Sequence, residues 1–383
     1  MTIAVRSFAK INLGLYIGAL RADGFHELRT VYQTIALHDV IRVSVDLTSK
    51  PRGSGIEIRC DDPRVPLDSA NTCYRMASLV MEALDARGKV TVEIEKKLPV
   101  QGGLGGASSN AVATMIGLET ALKKQRALKK PLSAAERLRI AAAVGSDLPL
   151  FVIGGTVLGV GRGEEVYPLA DLGATAMVVV TPEVGVSTPR AFADWDALVE
   201  SGAELRSAGR TNASAPTRAW TGEGARPHTA RPSTDSSYAS RAQLTLAGSS
   251  DRLVEVGCAL SAWLTGLPEV LPRVSPNTGA PRKLGSRAGS LLSDLVRTGI
   301  ENDFEKVVFP QSPELRDMKR ALERAGSRYA SLSGSGSSLY GLFGSPATAV
   351  LAAGRLRKQG LRAVATRTLT RREFWKKLLV VGR

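Results

Sequence analysis

The chain has 383 residues, which is long for one average domain and suits two. Hydrophobic residues make up 43%, enough to build cores, so a globally disordered chain is excluded. The formal net charge is +15, but residues 351–383 hold ten Lys or Arg and one acidic residue, so more than half of the excess lies at the C-terminal end.

Alternation of apolar and polar residues in the first third of the chain predicts half-buried strands. The apolar faces with period two are Ile11, Leu13, Leu15 and Ile17; Ile41, Val43 and Val45; Ile56, Ile58 and Cys60; and Val90, Val92 and Ile94. Residues 72–86 are predicted to form a helix between these strands. Apolar residues spaced by four and three after Ser108 predict another helix. Strands and helices mix without a regular βαβ rhythm, which indicates the α+β class.

The segment 201–250 differs from the rest, since 33 of its fifty residues are Ser, Thr, Ala, Gly or Pro. This composition predicts a flexible insertion or linker. After it, the patterns predict helices at 252–264, 313–325 and 348–359 and strands at 329–333, 339–343 and 362–370. The chain is therefore predicted to form two domains, 1–170 and 171–383, with the insertion in the second.

A glycine-rich loop at 98–111 is the most informative segment, because it follows the strand at 90–94 and opens a helix. Its four glycines allow a tight turn and a close approach of the backbone to a ligand. The free N–H groups and dipole of the helix attract an anion, and Ser108, Ser109 and Asn110 are of the types that cap helices. The loop predicts phosphate binding, although it lacks the GxxxxGK[ST] pattern. The alternative is a glycine-rich turn without a ligand.

Three motifs resemble those of the GHMP small-molecule kinases, in the same order. They are SFAKINL at 7–13, PVQGGLGGASSNA at 99–111 and SGSG at 333–336. Four more segments resemble one branch of that family, which phosphorylates a cytidine diphosphate ester in the non-mevalonate route to isoprenoid precursors. They are ADGFHELRT at 22–30, GSDLPLF at 145–151, GRGE at 161–164 and NDFE at 302–305.

The resemblance implies a ribosomal-protein-like N-terminal domain and a ferredoxin-like C-terminal sandwich, with the site in the cleft between them. It implies ATP as co-substrate together with Mg²⁺, for which Ser109 is the one candidate protein ligand. The residues expected at the nucleotide are Asn71, Pro99, Val100, Gln101, Gly102, Gly103, Leu104, Gly105, Gly106, Ala107, Ser108 and Ser109. For Asn71, a simple helix N-cap is an equal alternative.

Two residues are predicted to be catalytic. Asp147 is the candidate general base that takes the proton of the attacking hydroxyl, and it precedes an apolar run that favours partial burial. The resemblance places Lys10 beside it, where an ammonium group could orient the hydroxyl and offset phosphoryl charge. Asn12 shares the face of Lys10 on a strand and is expected to donate to substrate or phosphate oxygens.

The acceptor site is expected to recognise a cytosine base. Phe25 and His26 follow an Asp-Gly turn signal, so that Phe25 could stack on the base and His26 could bond its edge. Phe192 is a candidate for a second stacking face, with a core aromatic as the alternative. Gly334 and Gly336 allow close backbone approach near the transferred phosphate, but a tight bend between strands would look the same.

Two positions depart from the pattern of close relatives. Gln101 and Ala107 stand where glycine is frequent. If position 107 required a positive φ, alanine would cost about 1 kcal/mol there and weaken nucleotide binding.

Competing hypotheses remain at this point. The chain could be another GHMP kinase, acting on homoserine, mevalonate or a sugar. The basic tail with Phe374 and Trp375 also suggests a nucleic-acid-binding protein, but no recognised module accompanies it. We expect a small-molecule substrate, no specific nucleic acid, and a monomer or homodimer.

The sequence also favours a cytoplasmic protein that does not span a membrane. The apolar stretch at 148–161 has 14 residues, whereas a spanning helix needs about 20, and no signal peptide is predicted. Three cysteines without CxxC spacing provide neither a disulfide framework nor a zinc site.

Overall fold

The computed structural model describes residues 2–49, 55–210 and 300–380, with the backbone alone for 202–210. The first sheet has six strands, in the order β3-β4-β2-β5-β6 with β1 paired to β2. Their bounds are β1 Thr2–Leu20, β2 His26–Asp46, β3 Ile56–Cys60, β4 Lys89–Glu95, β5 Thr156–Val160 and β6 Glu165–Pro168. All pairs are antiparallel except β3 with β4, which is parallel.

Helices cover one face of this sheet and pack on the apolar faces predicted at 41–45, 56–60 and 90–94. The predicted face at Ile11, Leu13, Leu15 and Ile17 packs instead with residues of the second sheet. They are α1 Thr72–Ala83, α2 Gly106–Lys124, α3 Ala134–Val144 and α4 Leu148–Ile153. Helix α2 packs on β1 and β2, and α1 packs on α2. Val5, Ile41 and Val43 from the sheet meet Met115 and Leu118 of α2 in this core.

The second sheet has four antiparallel strands in the order β10-β7-β9-β8. These are β7 Ala176–Val180, β8 Tyr329–Leu332, β9 Leu339–Leu342 and β10 Ala363–Arg367. The accompanying helices are α5 Thr188–Arg210, α6 Glu305–Gln311, α7 Pro313–Arg324 and α8 Pro346–Lys358. The change of sheet falls between β6 and β7.

A third apolar cluster joins the two sheets. Ile11 and Val31 of the first sheet pack with Val179 and Tyr340 of the second. The Tyr340 hydroxyl also donates to the carbonyl oxygen of Asn12 at 2.8 Å. The central part of β1 is therefore held from both sides, which fixes the backbone that carries Lys10.

The last helix, α9 Arg371–Leu378, packs on the first core, although it follows the second sheet in the chain. The ring of Phe374 lies 5.5 Å from that of Phe8, and Leu379 pairs with Val5 in an isolated bridge. Chain order alone, which assigns 171–383 to one domain, does not anticipate this return.

Part of the predicted flexible insertion is helical. Helix α5 continues to Arg210, so residues 201–210 do not belong to a linker. Alanine is frequent in linkers, but alanine, glutamate and leucine are also strong helix formers and here extend helix α5. The rest of 201–250, the predicted helix at 252–264 and Cys258 lie outside the described residues. None of the helices within those described ranges has the length and apolar character to cross a membrane.

Candidate active site

Lys10 and Asp147 form an ion pair. Lys10 Nζ lies 3.5 Å from Asp147 Oδ2, and the side chains are 4% and 35% exposed. Register shifts between Phe8 and Lys10 and between Asn12 and Gly14 mark β-bulges in β1 on either side of Lys10 and Asn12. Asp147 occupies the N-cap position of α4 but makes no capping hydrogen bond with its side chain. Its carboxylate is therefore available to other partners.

Tyr32 provides one of those partners. Its hydroxyl donates to Asp147 Oδ1 at 2.9 Å, so Lys10 and Tyr32 hold the two carboxylate oxygens separately. Burial, and next the charge of Asp147, raise the pKa of Tyr32 well above its ordinary value, so the phenol stays protonated. Gly163 permits this contact, because a Cβ there would lie 2.5 Å from the Tyr32 hydroxyl.

Asn12 belongs to a chain of hydrogen bonds that orients Lys10. Lys10 Nζ donates to Asn12 Oδ1 at 2.8 Å, and Asn12 Nδ2 donates to Thr30 Oγ1 at 2.7 Å. Thr30 in turn donates to the carbonyl oxygen of Gly14 at 2.8 Å. The buried amide of Asn12 thus acts on the ammonium group of Lys10, and its expected bond to substrate stays a prediction.

The turn at 333–336 meets this cluster from the second domain. A Cβ at Gly334 would lie 3.4 Å from Lys10 Nζ and 3.5 Å from Asn12 Oδ1. Ser333 Oγ donates to the carbonyl oxygen of Gly103 at 2.9 Å. Gly336 packs against Leu332 in the same turn.

The glycine loop lines a cleft of ≈ 290 Å³ between α1 and α2. All predicted loop residues from Pro99 to Ser108 line it, as does Asn71, whereas Ser109 does not. Ser109 is buried within α2. The backbone of Lys10 joins this loop through its N–H, which donates to the carbonyl oxygen of Leu104 at 3.0 Å. The cleft and the ion pair therefore share one rigid support.

The expectation that Ser108, Ser109 and Asn110 cap the helix is wrong. Helix α2 begins at Gly106, and its N-cap is Gly105 with φ 67°, so all three follow inside the first turns. The Asn110 side chain accepts a hydrogen bond from Ser7 at 2.5 Å and donates one to Asp39 Oδ2 at 3.1 Å. Glycine reaches the left-handed region without strain, which is why the helix starts earlier than the polar residues suggest.

The positive φ considered for Ala107 is found at Gln101 instead. Ala107 lies in α2, whereas Gln101 has φ 58°. Any backbone strain in the loop is therefore at Gln101.

Asn71 is the N-cap of α1. Its Oδ1 accepts from the Cys73 N–H at 2.8 Å, and its Nδ2 donates to the carbonyl oxygen of Pro66 at 2.6 Å. The structure thus shows the capping role, and contact with a nucleotide stays a prediction.

Sequence reasoning missed Lys96, a partly buried cation that lines the same cleft. Its Nζ donates to Asp39 Oδ2 at 2.6 Å and would lie 3.2 Å from a Cβ at Gly106, the first residue of α2. The adjacent pair Lys96 and Lys97, directly after β4, was the available signal.

The predicted base-binding residues occupy the end of the β1–β2 hairpin and the start of α5. Phe25 is 50% exposed, with the Arg162 guanidinium 4.9 Å from its ring centre. His26 stacks on Phe192 at 4.9 Å, and its Nε2 lies 2.7 Å from Asp196 Oδ1. Phe192 therefore packs on His26 and, edge to face, on Phe304. A role for it as a stacking face for the base stays a prediction.

A larger cavity of ≈ 600 Å³ lies elsewhere, on the C-terminal half of α2, and contains none of the predicted site residues. Among the described residues, no group of three or more His, Cys, Asp or Glu is placed to hold a metal ion.

Sequence comparisons agree with the motifs. The family model of the GHMP kinase N-terminal domain matches residues 71–155, and that of the C-terminal domain matches residues 283–361. The chain is 32% identical to the 4-diphosphocytidyl-2-C-methyl-D-erythritol kinase of Solibacter usitatus over 340 residues, which are 88% of this chain and 80% of the relative. It is 30% identical to the enzyme of that name from Acaryochloris marina, over 91% of this chain and 89% of the relative.

Solved structures share the fold. A crystal structure of 4-(cytidine 5'-diphospho)-2C-methyl-D-erythritol kinase matches with a TM-score of 0.58 and 25% identity, covering 96% of this chain and 99% of that one. Homoserine kinase from Cytophaga hutchinsonii gives a TM-score of 0.59 at 17% identity, covering 96% of this chain and 95% of that one. The fold therefore does not separate these two kinds of kinase, whereas sequence identity favours the first.

Proposed function

This chain belongs to the 4-diphosphocytidyl-2-C-methyl-D-erythritol kinases, a branch of the GHMP kinases, and is an ATP-dependent phosphotransferase. We propose that it phosphorylates the 2-hydroxyl of 4-diphosphocytidyl-2-C-methyl-D-erythritol. This step belongs to the non-mevalonate route to isoprenoid precursors. The observation that carries the proposal is the Lys10–Asp147 pair, 3.5 Å apart and joined through the Lys10 backbone to the glycine loop.

The glycine loop supplies the phosphate site. Backbone N–H groups at the start of α2 and the nearby Lys96 ammonium attract the negative charge of ATP. Mg²⁺ would neutralise charge on the phosphates of ATP, which are oxygen ligands of the kind that it prefers. Ser109 is buried within α2 and does not line the cleft, so it does not fit the expected role of protein ligand.

The chemistry assigns one role to each member of the pair. The acceptor oxygen attacks the γ-phosphorus, the bond to the leaving ADP breaks, and Asp147 takes the hydroxyl proton. Lys10 orients the hydroxyl and offsets charge on the transferred group. Tyr32 fixes one oxygen of Asp147, which leaves the other carboxylate oxygen facing Lys10.

The acceptor's cytosine is proposed to stack on Phe25. The ring is 50% exposed and has the Arg162 guanidinium beside it, so the hairpin presents an aromatic surface on which a base could stack. Arg162 is itself held by Glu164, through a 3.0 Å bond from its Nε. His26 is proposed to bond the base edge, with Asp196 fixing its ring.

The finer fold description is part of this proposal. The order β10-β7-β9-β8, with helices between β7 and β8 and between β9 and β10, supports the ferredoxin-like sandwich. The helix-covered first sheet supports the ribosomal-protein-like domain.

The structure also bears on the nucleic-acid alternative. Arg367 bonds Glu373 at 2.8 Å, and Arg371 donates to the carbonyl oxygen of Gly154 at 3.1 Å. Phe374 is buried, and Trp375 Nε1 donates to the carbonyl oxygen of Ile153 at 3.0 Å. These contacts support a structural role for this part of the tail, so we favour the kinase.

The test is ATP turnover with the diphosphocytidyl substrate beside homoserine, mevalonate and a sugar. We expect kcat/KM to be highest, by about 5- to 150-fold, for the cytidine ester, because a base stacked on an aromatic ring contributes about 1–3 kcal/mol. Equal or greater activity on an acceptor without cytidine would favour the second candidate, another GHMP kinase. Size-exclusion chromatography with light scattering would decide between the proposed monomer and homodimer.

A further inference from the structure

We propose that Asn302 is a positioning residue for phosphoryl transfer, because its side-chain amide fixes the turn at 333–336 against Lys10 and the glycine loop. The Asn302 side chain bonds Leu332, Gly334 and Phe304, so it acts on Lys10 through the turn. The inference rests on the proposed kinase function and adds a residue to its machinery.

The turn lies between two parts of the site. Gly334 has φ 60° and faces the ammonium group of Lys10, since a Cβ at this position would lie in ordinary contact, 3.4 Å from Lys10 Nζ. On its other side, Ser333 donates to the carbonyl oxygen of Gly103, and the Ser338 N–H donates to that of Gly102 at 3.1 Å. A displacement of this turn would therefore move the glycine loop relative to Lys10.

The Asn302 side chain holds the turn with both hydrogens of its amide. Nδ2 donates to the carbonyl oxygen of Leu332 at 2.9 Å and to that of Gly334 at 2.8 Å. Its Oδ1 accepts from the Phe304 N–H at 3.1 Å. Since Asn302 is 2% exposed, water does not replace these bonds readily.

The backbone around Asn302 is fixed to β1, the strand that carries Lys10. The Leu15 N–H donates to the carbonyl oxygen of Glu301, and the Asp303 N–H donates to that of Leu15, both at 2.9 Å. The Asp303 carboxylate also accepts from the Ile17 N–H at 3.0 Å. The backbone at Asn302 thus pairs with β1, while the Asn302 side chain bonds the turn.

Glu305 supports the same arrangement from the start of α6. Its Oε1 accepts from the Leu332 N–H at 2.8 Å and from Ser331 Oγ at 2.9 Å. The end of β8 is therefore held at the Leu332 N–H by Glu305 and at its carbonyl oxygen by Asn302. Together these contacts give the NDFE segment a physical role in the site.

The geometry has a kinetic consequence, because phosphoryl transfer depends on placing the acceptor, the phosphate and the charged groups together. A misplacement of about 1 Å can cost about 100-fold in rate. Loss of the Asn302 amide is expected to lower kcat about 10- to 100-fold and to change the KM for ATP by a smaller factor, because the turn bonds the glycine loop at Gly102 and Gly103, whereas Asn71 on the other side of the cleft is held by Pro66.

The variant that tests this is Asn302→Asp, which keeps the shape of the side chain and replaces the donating NH₂ with oxygen. Asn302→Ser is the second variant, measured in place of the first if that one does not fold. Asp317→Asn, on the exposed part of α7, is the control. Each protein is assayed for kcat and both KM values below its unfolding temperature, and hydrogen exchange is followed at the Gly336 and Ser338 amides.

We expect a lower kcat together with faster exchange at these two amides, and wild-type behaviour of Asp317→Asn. A wild-type kcat in a folded Asn302 variant would overturn the proposal, as would unchanged exchange at the two amides. The kcat of each variant is divided by the kcat of the wild type, both measured with the acceptor that the wild type phosphorylates best. An error in the proposed substrate would therefore appear in the wild type and leave this test intact.

Discussion

Lys10 Nζ lies 3.5 Å from Asp147 Oδ2, while the other carboxylate oxygen accepts a hydrogen bond from Tyr32. The three residues come from β1, β2 and the start of α4, and none of these contacts is local in sequence. An ammonium group and a phenol thus hold the two oxygens of the candidate base.

Tyr32→Phe removes one hydroxyl and leaves the ring in place. A hydrogen bond to a charged group contributes about 1.5–3 kcal/mol, and since only part of it is lost in the transition state, we expect kcat to fall about tenfold. Steady-state kinetics measure this, with Tyr167→Phe on the exposed face of β6 as the control. A kcat equal to that of the wild type would show that Asp147 does not need this bond.

Phe25→Ala removes the proposed stacking surface. Stacking on a base contributes about 1–3 kcal/mol, so we expect the KM for the cytidine substrate to rise at least about fivefold, with the KM for ATP unchanged. Leu20→Ala, an exposed residue of the same hairpin, is the control. A change confined to the KM for ATP contradicts the role given to Phe25.

Gln101→Gly and Ala107→Gly are expected to change stability in opposite directions. Gln101 has φ 58°, so glycine relieves strain and raises the free energy of unfolding by about 0.5–1 kcal/mol. Ala107 lies in α2, where a glycine lowers the free energy of unfolding by up to about 1 kcal/mol. Thermal unfolding of the two variants decides this, and destabilisation by Gln101→Gly would refute the assignment of strain.

Cys73 is expected to resist alkylation in the folded protein. Burial raises the pKa of its thiol to about 12, so at pH 8 only about one molecule in ten thousand carries the reactive thiolate. Iodoacetamide labelling followed by peptide mass spectrometry compares it with the partly exposed Cys60 in the same molecules. Denaturant should make both react, and equal labelling of the two in native protein at pH 8 would argue against the buried thiol.

The strands and helices near the site follow from periodicity, because apolar alternation and helical spacing are local signals. The faces at Ile41, Val43 and Val45 and at Val90 and Val92 are buried as the alternation predicts. The motif resemblance places Lys10 near Asp147, and the structure gives their separation. The two bulges of β1 that flank Lys10 and Asn12 depend on pairing with β2, so the local sequence does not predict them.

Other features depend on contacts between distant segments. The reach of Tyr32 to Asp147 requires the glycine at 163, and the hold of Asn302 on Gly334 requires the second domain to return to β1. The N-cap of α2 is the left-handed Gly105, whereas the capping residue types at 108–110 lie inside the helix. In α5, the composition predicts flexibility, but helix propensity prevails as far as Arg210.

The most direct test of the account is the turnover of Asp147→Asn with ATP and 4-diphosphocytidyl-2-C-methyl-D-erythritol. Asparagine keeps the size and the hydrogen bond from Tyr32 but cannot take the acceptor proton, so kcat should fall about 10²- to 10⁴-fold, with the Kd for nucleotide within about twofold of the wild type. Asp61→Asn, at an exposed position, should behave as the wild type. A kcat for Asp147→Asn within about threefold of the wild type would remove Asp147 as the base and contradict the account.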